Sequence, residues 1–267
     1  MLNSKEYRLL DVGGTFIKTP DSPPVSIPSD GSMQAIGSAI RKAIGPTGGL
    51  KGVGVAIPGP FDYENGIFRM EHKFAAVKDL SFRDLARLPE NIPLRFHHDV
   101  NALLRGSLRM LELQKGVTAL VTLGTGLGFS YAIDGDVQYN ATGSPARNLW
   151  NLPYKRGILE DAVSARGLRE AYARKTGDTT QSAYTIARKA YLGEFDAMEA
   201  YHEMGDTLGH ALVEIRKEIP FDTLVFGGQI SKSLDLIIHP LHYLLEGTAI
   251  LAAPEGAVFE GLSELFA

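Results

Sequence analysis

The stretch LLDVGGTFIK, residues 9–18, decides how the rest of the chain is read. An apolar run meets Asp11, Gly13 and Gly14 turn the backbone, and Thr15-Phe16-Ile17-Lys18 leaves with alternating character. Two such runs around glycines predict a β-hairpin. The same arrangement also suits an anion, because backbone N–H groups can converge where no Cβ blocks the approach. The segment alone is compatible with both, and two glycines between strands are most often only a turn. The pattern returns twice. TLGTGLGFSYAIDG (122–135) sets Gly124, Thr125, Gly126 and Gly128 between apolar runs, and VFGGQIS (225–231) ends a buried-type strand on Gly227 and Gly228. Thr15 and Thr125 add hydroxyls, and Lys18 adds a point charge. None of the turns has the lysine that directly follows the last glycine of a Walker A loop, so hairpin turns are the better phosphate reading.

The composition sets the class. A chain of 267 residues holds one large domain or two modest ones with a real core. Hydrophobic and charged fractions of 44% and 22% are those of an ordinary soluble globular protein. A net charge of −4, with no Lys/Arg-rich run, argues against nucleic acid or an anionic membrane as partner. Cysteine is absent, which excludes disulfides, thiol catalysis and any Cys-built zinc site and suits a reducing compartment. No segment has the length of a signal peptide or membrane span, so a cytoplasmic protein is expected.

Strand and helix patterns alternate, as in an α/β layer architecture. YRLLDVGG and TFIKTP read as paired strands, TPDSPP as a break, and VSIP as a third strand. SMQAIGSAIRKAIG predicts a helix with Met33, Ile36, Ile40 and Ile44 on one face and Ser32 as N-cap. LKGVGVAIPG reads as a strand running into a loop, PGPFDYENG; SFRDLARL is a short helix and IPLRFHHD the next strand. NALLRGSLRMLEL predicts a helix capped at Asn101, with Leu104, Leu108 and Leu111 on one face. VTALVTLG and GFSYAIDGDVQY repeat the opening hairpin. From about Gly157 the chain turns mostly helical, over ILEDAVSARGLREAYARK, AYTIARKAYLG, DAMEAYHEMGDTLGHALVEIRKEI and SLDLIIHPLHYLLEG, with DTLVFGG as a buried strand. The strand ending at His98 and Asp99 carries an acid where a rigid element meets an accessible tip. Asp99 is either the helix's N-terminal acid or a general base for a substrate hydroxyl.

The segments DVGGTFIK, GVAIPGPFDYENG, HHDVN, TLGTGLGFSYAIDG, RGILEDAVSARGL and VFGGQIS occur in the order of the ROK (repressor, open reading frame, kinase) family, which the chain resembles from about Leu9 to Glu260. The resemblance implies a two-lobed actin-like ATPase (ribonuclease H-like) fold with an interlobe cleft. It places an N-terminal lobe at residues 1–100, a larger lobe at 101–255, and a last helix at about 256–267 packing back on the first lobe. It implies ATP with Mg²⁺ as donor and phosphorylation of a sugar-like small molecule, most often at O6, by a homodimer. Position by position, Asp11 matches the acid that handles Mg²⁺ through water. Gly13, Gly14, Thr15 and Lys18 match the first phosphate turn, and Gly124, Thr125, Gly126 and Gly128 the second. Gly227 and Gly228 match the turn beside adenosine. Asp99 matches the catalytic base, Gly59 and Pro60 the sugar-side loop, and Glu160 a glutamate that contacts sugar hydroxyls. The implied chemistry is in-line phosphoryl transfer.

The sequence departs from that pattern at three places. His98 stands where members commonly carry an Asn that bonds the sugar. TGSPARNLWNLPYKRG (142–157) stands where many carry Glu-x-Gly-His, with Arg147 and Trp150 near those positions. The zinc-binding cysteines are missing, and packing is expected to close that loop instead. Arg147 is placed either to bond an acidic acceptor or to serve the loop, and Trp150 either to stack on a sugar or to pack. A sugar kinase is the expected function. A catalytically weak sugar or nucleotide sensor, or another small-molecule kinase of the superfamily, is the alternative. Repression by DNA binding is not expected, because the first phosphate motif starts at Asp11.

Overall fold

The computed structural model describes residues 6–267, which divide into two compact units. The first takes in the described chain up to Leu113, together with Val137–Ala146 and Pro254–Ala267. Its elements run β1 (Tyr7–Val12), β2 (Phe16–Thr19), β3 (Ser22–Ser26), α1 (Met33–Ile44), β4 (Gly52–Ile57), β5 (Phe61–Asp62), β6 (Ile67–Phe68), α2 (Phe82–Ala86), β7 (Leu94–His98) and α3 (Asp99–Met110). The main sheet has the order β3-β2-β1-β4-β7. β1, β2 and β3 are antiparallel, while β4 and β7 join in parallel. β4, GVGVAI, is buried along its whole length, as a central strand covered on both faces must be. Pro23 and Pro24 lie inside edge strand β3 at a register shift where neither has a ladder partner on β2, so half of the expected break is strand.

Two further local expectations change. Ser32 caps α1 as expected and Ile36, Ile40 and Ile44 are buried, but Met33 at the first helical position is exposed. The cap of α3 is His98 and not Asn101. Asn101 is buried one turn in, and its Nδ2 donates to Gly143 O at 3.3 Å. The stretch after β4 is more than a loop, since β5 and β6 pair as a short hairpin there. Its Phe61 and Phe68 join Phe74, Phe82 and Phe96 in an aromatic cluster with centroids 5.0–6.1 Å apart.

The second unit comprises Gln114–Asp136 and Arg147–Ala253. It contains β8 (Val117–Leu123), β9 (Leu127–Ile133) and β10 (Asp136–Val137, at the unit boundary), then the hairpin β11 (Pro153–Tyr154) and β12 (Gly157–Ile158). Helices α4 (Leu159–Ala162), α5 (Ala165–Thr176), α6 (Ala183–Tyr191) and α7 (Phe195–Glu218) follow, then β13 (Thr223–Gly227), α8 (Ile238–Leu244) and β14 (Ala249–Ala252). The sheet order β10-β9-β8-β13-β14 repeats the plan of the first unit, with β8–β9 antiparallel and β8–β13–β14 parallel. The expected continuous helix over 158–175 breaks at Val163 and Ser164. Ser164 Oγ there accepts the Gly167 N–H at 3.3 Å and starts α5. The helix expected over 233–247 is a 3₁₀ segment, Ile230–Leu236, followed by α8. At the β11–β12 loop, Leu152 packs on the core and the Tyr154 hydroxyl meets Thr207 Oγ1 at 3.2 Å.

The chain returns to the first unit with α9 (Ala257–Ser263). α3 and α9 touch backbone to backbone through small residues: a Cβ on Gly106 would stand 1.7 Å from Ala257 O, and one on Gly261 2.0 Å from Ala102 O. This contact holds α3 in the first unit, so the unit reaches Leu113 where the expected boundary lay at residue 100. The return of Val137–Ala146 to the same unit was not expected at all.

Candidate active site

In the first unit the candidate side chains gather around the β1–β2 turn and the start of α3. Asp11 pairs with Lys18 in the β1–β2 register, and Lys18 Nζ lies 3.3 Å from Asp11 Oδ2. Burial pushes the Asp11 carboxyl above its usual range; Lys18 opposes this, and the charge of Asp99 adds to it. In the turn, Gly13 N donates to Phe16 O at 2.9 Å, and the Ile27 N–H donates to Thr15 O at 2.9 Å. Neither Gly13 nor Gly14 has a positive φ, so conformational need does not explain them. Gly14 is open instead: the nearest atoms to a Cβ there would be Cδ, Cε and Nζ of Lys73, at 3.5, 3.6 and 3.7 Å.

Asp99 opens α3, and its Oδ1 accepts the Val100 N–H at 2.8 Å. His98 Nδ1 stands 2.9 Å from the same Oδ1. The Val100 N–H also approaches that nitrogen, at 3.2 Å, so one backbone amide lies between the two side chains. Burial alone would raise the Asp99 carboxyl. The charge and hydrogen bond of His98, the Val100 N–H and the charge of Lys73 outweigh it and hold the group below its usual range. The Gly59–Pro60 peptide is cis. A Cβ on Gly59 would lie in ordinary contact with Tyr63 Oη, Ser144 Oγ and His98 Cδ2, at 3.4, 3.5 and 3.6 Å, so the loop runs close beside these three side chains. Tyr63 donates to Ile57 O at 3.1 Å, and burial, followed by the charge of Asp99, raises its pKa and keeps it neutral. Ser144 is fixed by Asn140, whose Oδ1 accepts from Thr142 N at 2.9 Å and Ser144 N at 3.2 Å.

The second unit carries the other glycine turns. β8 ends at Leu123 and β9 begins at Leu127, which leaves Gly124, Thr125 and Gly126 as the turn. Gly128 is not in it; it is a strand residue paired with Thr122. Gly124 has no positive φ and nothing within 4 Å of a Cβ, so its backbone faces open space. Gly126 makes room for Glu160, whose Oε2 would lie 2.6 Å from a Cβ there and accepts the Leu127 N–H at 2.8 Å. Glu160 thus braces the turn with one oxygen. Gly228, at φ +90°, packs on the end of β8, where a Cβ would meet Leu123 O at 2.3 Å. The turn at Gly227 and Gly228 therefore adjoins the one at Gly124.

Arg147 does not stand free for an acceptor. Its Nε reaches Glu218 Oε2 at 3.1 Å in the second unit. Trp150 is 42% exposed and its carbonyl accepts the Glu160 N–H at 3.1 Å. Lys73, Tyr63 and Ser144 were missed by the sequence reading. A tyrosine in FDYENG and a serine in TGSP were visible, but nothing in their spacing joins them, and Lys73 lies in a segment with no motif.

Residues 9–147 and 154–258 match the profile of the ROK family, far more than half of the chain. The chain belongs to the ROK family. A glucokinase of Halalkalibacterium halodurans is 22% identical over 239 residues, which are 79% of this chain and 71% of that protein. Among solved structures, a ROK family glucokinase from Streptomyces griseus, crystallised with glucose and AMPPNP, superposes with a TM-score of 0.79. It is 21% identical, and the match covers 96% of this chain and 97% of that one. A ROK family transcriptional regulator, homologous to E. coli MLC, superposes at 0.78 with 14% identity over 98% of this chain and 81% of its own. The actin-like two-lobed fold of ROK proteins is thus the fold of this chain, and that fold serves kinases and regulators alike. Among the described residues no helix is long and apolar enough to cross a membrane.

Proposed function

We propose that the protein is a carbohydrate kinase that transfers the terminal phosphoryl group of ATP to a hydroxyl, O6 by family resemblance, of a sugar or sugar derivative. One observation carries the reading: Asp99, at the start of α3 with its Oδ1 on the Val100 N–H and 2.9 Å from His98 Nδ1, lies in the same neighbourhood as Asp11 and the Gly13–Gly14–Thr15 turn. A base for a hydroxyl proton has to be an ionised carboxylate within hydrogen-bond reach of the acceptor beside the phosphate turn, a demand that a regulator does not make of that position. Tyr63, Ser144, His98 and the Gly59–Pro60 loop line the acceptor side of Asp99, and Gly13, Gly14 and Thr15 offer backbone to the phosphates. The second unit has a turn of the same kind at Gly124, Thr125 and Gly126, braced by Glu160, and by family resemblance its Gly227 and Gly228 serve the nucleoside.

Mg²⁺ fits this site in one manner. Among the described residues no group of three or more His, Cys, Asp or Glu could hold a metal. A cation that keeps its waters and binds mainly phosphate oxygens needs a single nearby carboxylate, and Asp11 supplies it. Bound there, Mg²⁺ neutralises phosphate charge. Asp99 accepts the hydroxyl proton, Lys18 balances Asp11, and the glycine turns orient the phosphates.

The test is Asp99→Asn in a coupled ADP-release assay over hexoses, N-acetylhexosamines and sugar acids. Turnover is expected to fall by about 10²–10⁴-fold while nucleotide binding persists. Unchanged turnover sinks the assignment. Silence of the wild type across the panel, with tight sugar binding by calorimetry, replaces it with a sensor.

A further inference from the structure

Lys73 sits between the two halves of the first unit's site, and neither the family pattern nor the proposed function uses it. Its backbone is not loose. The next residue, Phe74, is fully buried in the aromatic cluster, takes a left-handed conformation at φ 58°, and donates its N–H to Ser29 O at 2.6 Å. That anchor leaves Lys73 at the surface with its side chain laid along the open side of Gly14, Nζ ending 3.7 Å from where a Cβ would be. Its charge also reaches Asp99. Among the described residues Lys73 has no hydrogen bond and no ion pair. Lys18, the lysine that the sequence offers to phosphate, is instead committed to Asp11 at 3.3 Å. The ammonium with an open valence for a ligand anion is thus Lys73.

We infer that Lys73 is a catalytic residue of the proposed phosphoryl transfer, its ammonium contacting the transferring phosphoryl group between the Gly14 turn and Asp99. This rests on the kinase reading above. In the step, the acceptor oxygen forms a bond to the γ-phosphorus as the β–γ bridging O–P bond breaks. The bond electrons leave with ADP, and the hydroxyl proton passes to the Asp99 carboxylate. Lys73 remains an ammonium throughout. It meets the charge on the equatorial oxygens and shields it from Asp99, which a bare carboxylate beside a phosphate would otherwise repel. Exposed, and with no hydrogen bond or ion pair among the described residues, the Lys73 side chain has no packing role that its removal would disturb.

The experiment compares Lys73→Met and Lys73→Arg with the wild type in steady-state kinetics, with thermal melts as a check on folding. Lys73→Met is expected to lower kcat by about 10²–10³-fold and leave the acceptor KM within about twofold, with Lys73→Arg retaining more activity. A kcat within threefold of wild type overturns the inference. So does a raised acceptor KM at unchanged kcat, since Lys73 would then bind the acceptor and not the phosphoryl group. A wild type silent on every acceptor overturns the kinase reading alone, and calorimetry then decides on Lys73. Lys73→Met should weaken AMPPNP by about tenfold and leave ADP unaffected. Equal loss for both nucleotides, or no loss for either, ends the proposal.

Discussion

Asp11 and Asp99 are two carboxylates in one neighbourhood that the structure drives in opposite directions, Asp11 up and Asp99 down. Such a split assigns different tasks to chemically similar groups. For Asp11 burial outweighs its pairing with Lys18, so its ionised form costs stability. The contribution of a group with a raised pKa is intact below its unfolded value and is lost as pH rises through the folded value. At neutral pH Asp11→Asn should therefore raise Tm while lowering phosphoryl transfer by about 10–100-fold or more, as loss of a group acting on a metal through water does. Calorimetric melts and the coupled assay read the two effects, and a lower Tm contradicts the account. Both acids were legible because each ends a strand beside a glycine turn or a helix start. Tyr63, Ser144 and Lys73 were not, because loop residues meet across tens of positions without periodicity. The ion pair of Arg147 was hidden for the same reason, since its partner Glu218 lies at the far end of α7.

At the scale of elements, the start of α3 is only as well fixed as the helix behind it. Periodicity shows the Leu104 and Leu108 face, and both are buried. It cannot show that Gly106 faces α9, because the matching residues Ala257 and Gly261 lie some 150 positions on. From sequence alone Gly106 reads as a weak point, and Gly→Ala in an open helix would gain about 1 kcal/mol. The structure reverses the sign. A Cβ 1.7 Å from a backbone carbonyl cannot be relieved by a rotamer change, and overpacking of this kind costs about 1–3 kcal/mol or more. Gly106→Ala is expected to be net destabilising in urea unfolding, and so is Gly261→Ala. Their effects should not add, because both force the same two helices apart. A neutral or stabilised Gly106→Ala would show that the crossing is looser than described.

Across the whole molecule the repetition of strand, glycine turn and strand at the opening of each half was legible, but the five strands of each sheet were not. The composition of the first unit was not, for it is assembled from three stretches of chain. Arg105 of α3 joins them, with Nη1 on Glu264 at 3.2 Å and Nη2 on the Tyr139 hydroxyl at 2.6 Å. This junction has a consequence for acid stability. His97 of β7 is driven down to about 4 by burial and then by the charge of Arg105, from an ordinary value of 6.5. Between those values the unfolded chain binds a proton at His97 that the folded chain refuses. Stability from this group is therefore full above pH 6.5 and is lost as pH falls toward 4, with a slope of at most about 1.4 kcal/mol per pH unit. Asp99 acts in the same direction and Asp11 against it, but both are unchanged in His97→Gln, so the difference between variant and wild type isolates the histidine. Urea unfolding from pH 4 to 8 should show a steep fall for the wild type below pH 6.5 and a flatter curve for His97→Gln. Parallel curves over that window would mean that His97 is protonated as readily in the folded unit as in the open chain, and that Arg105 does not bear on it.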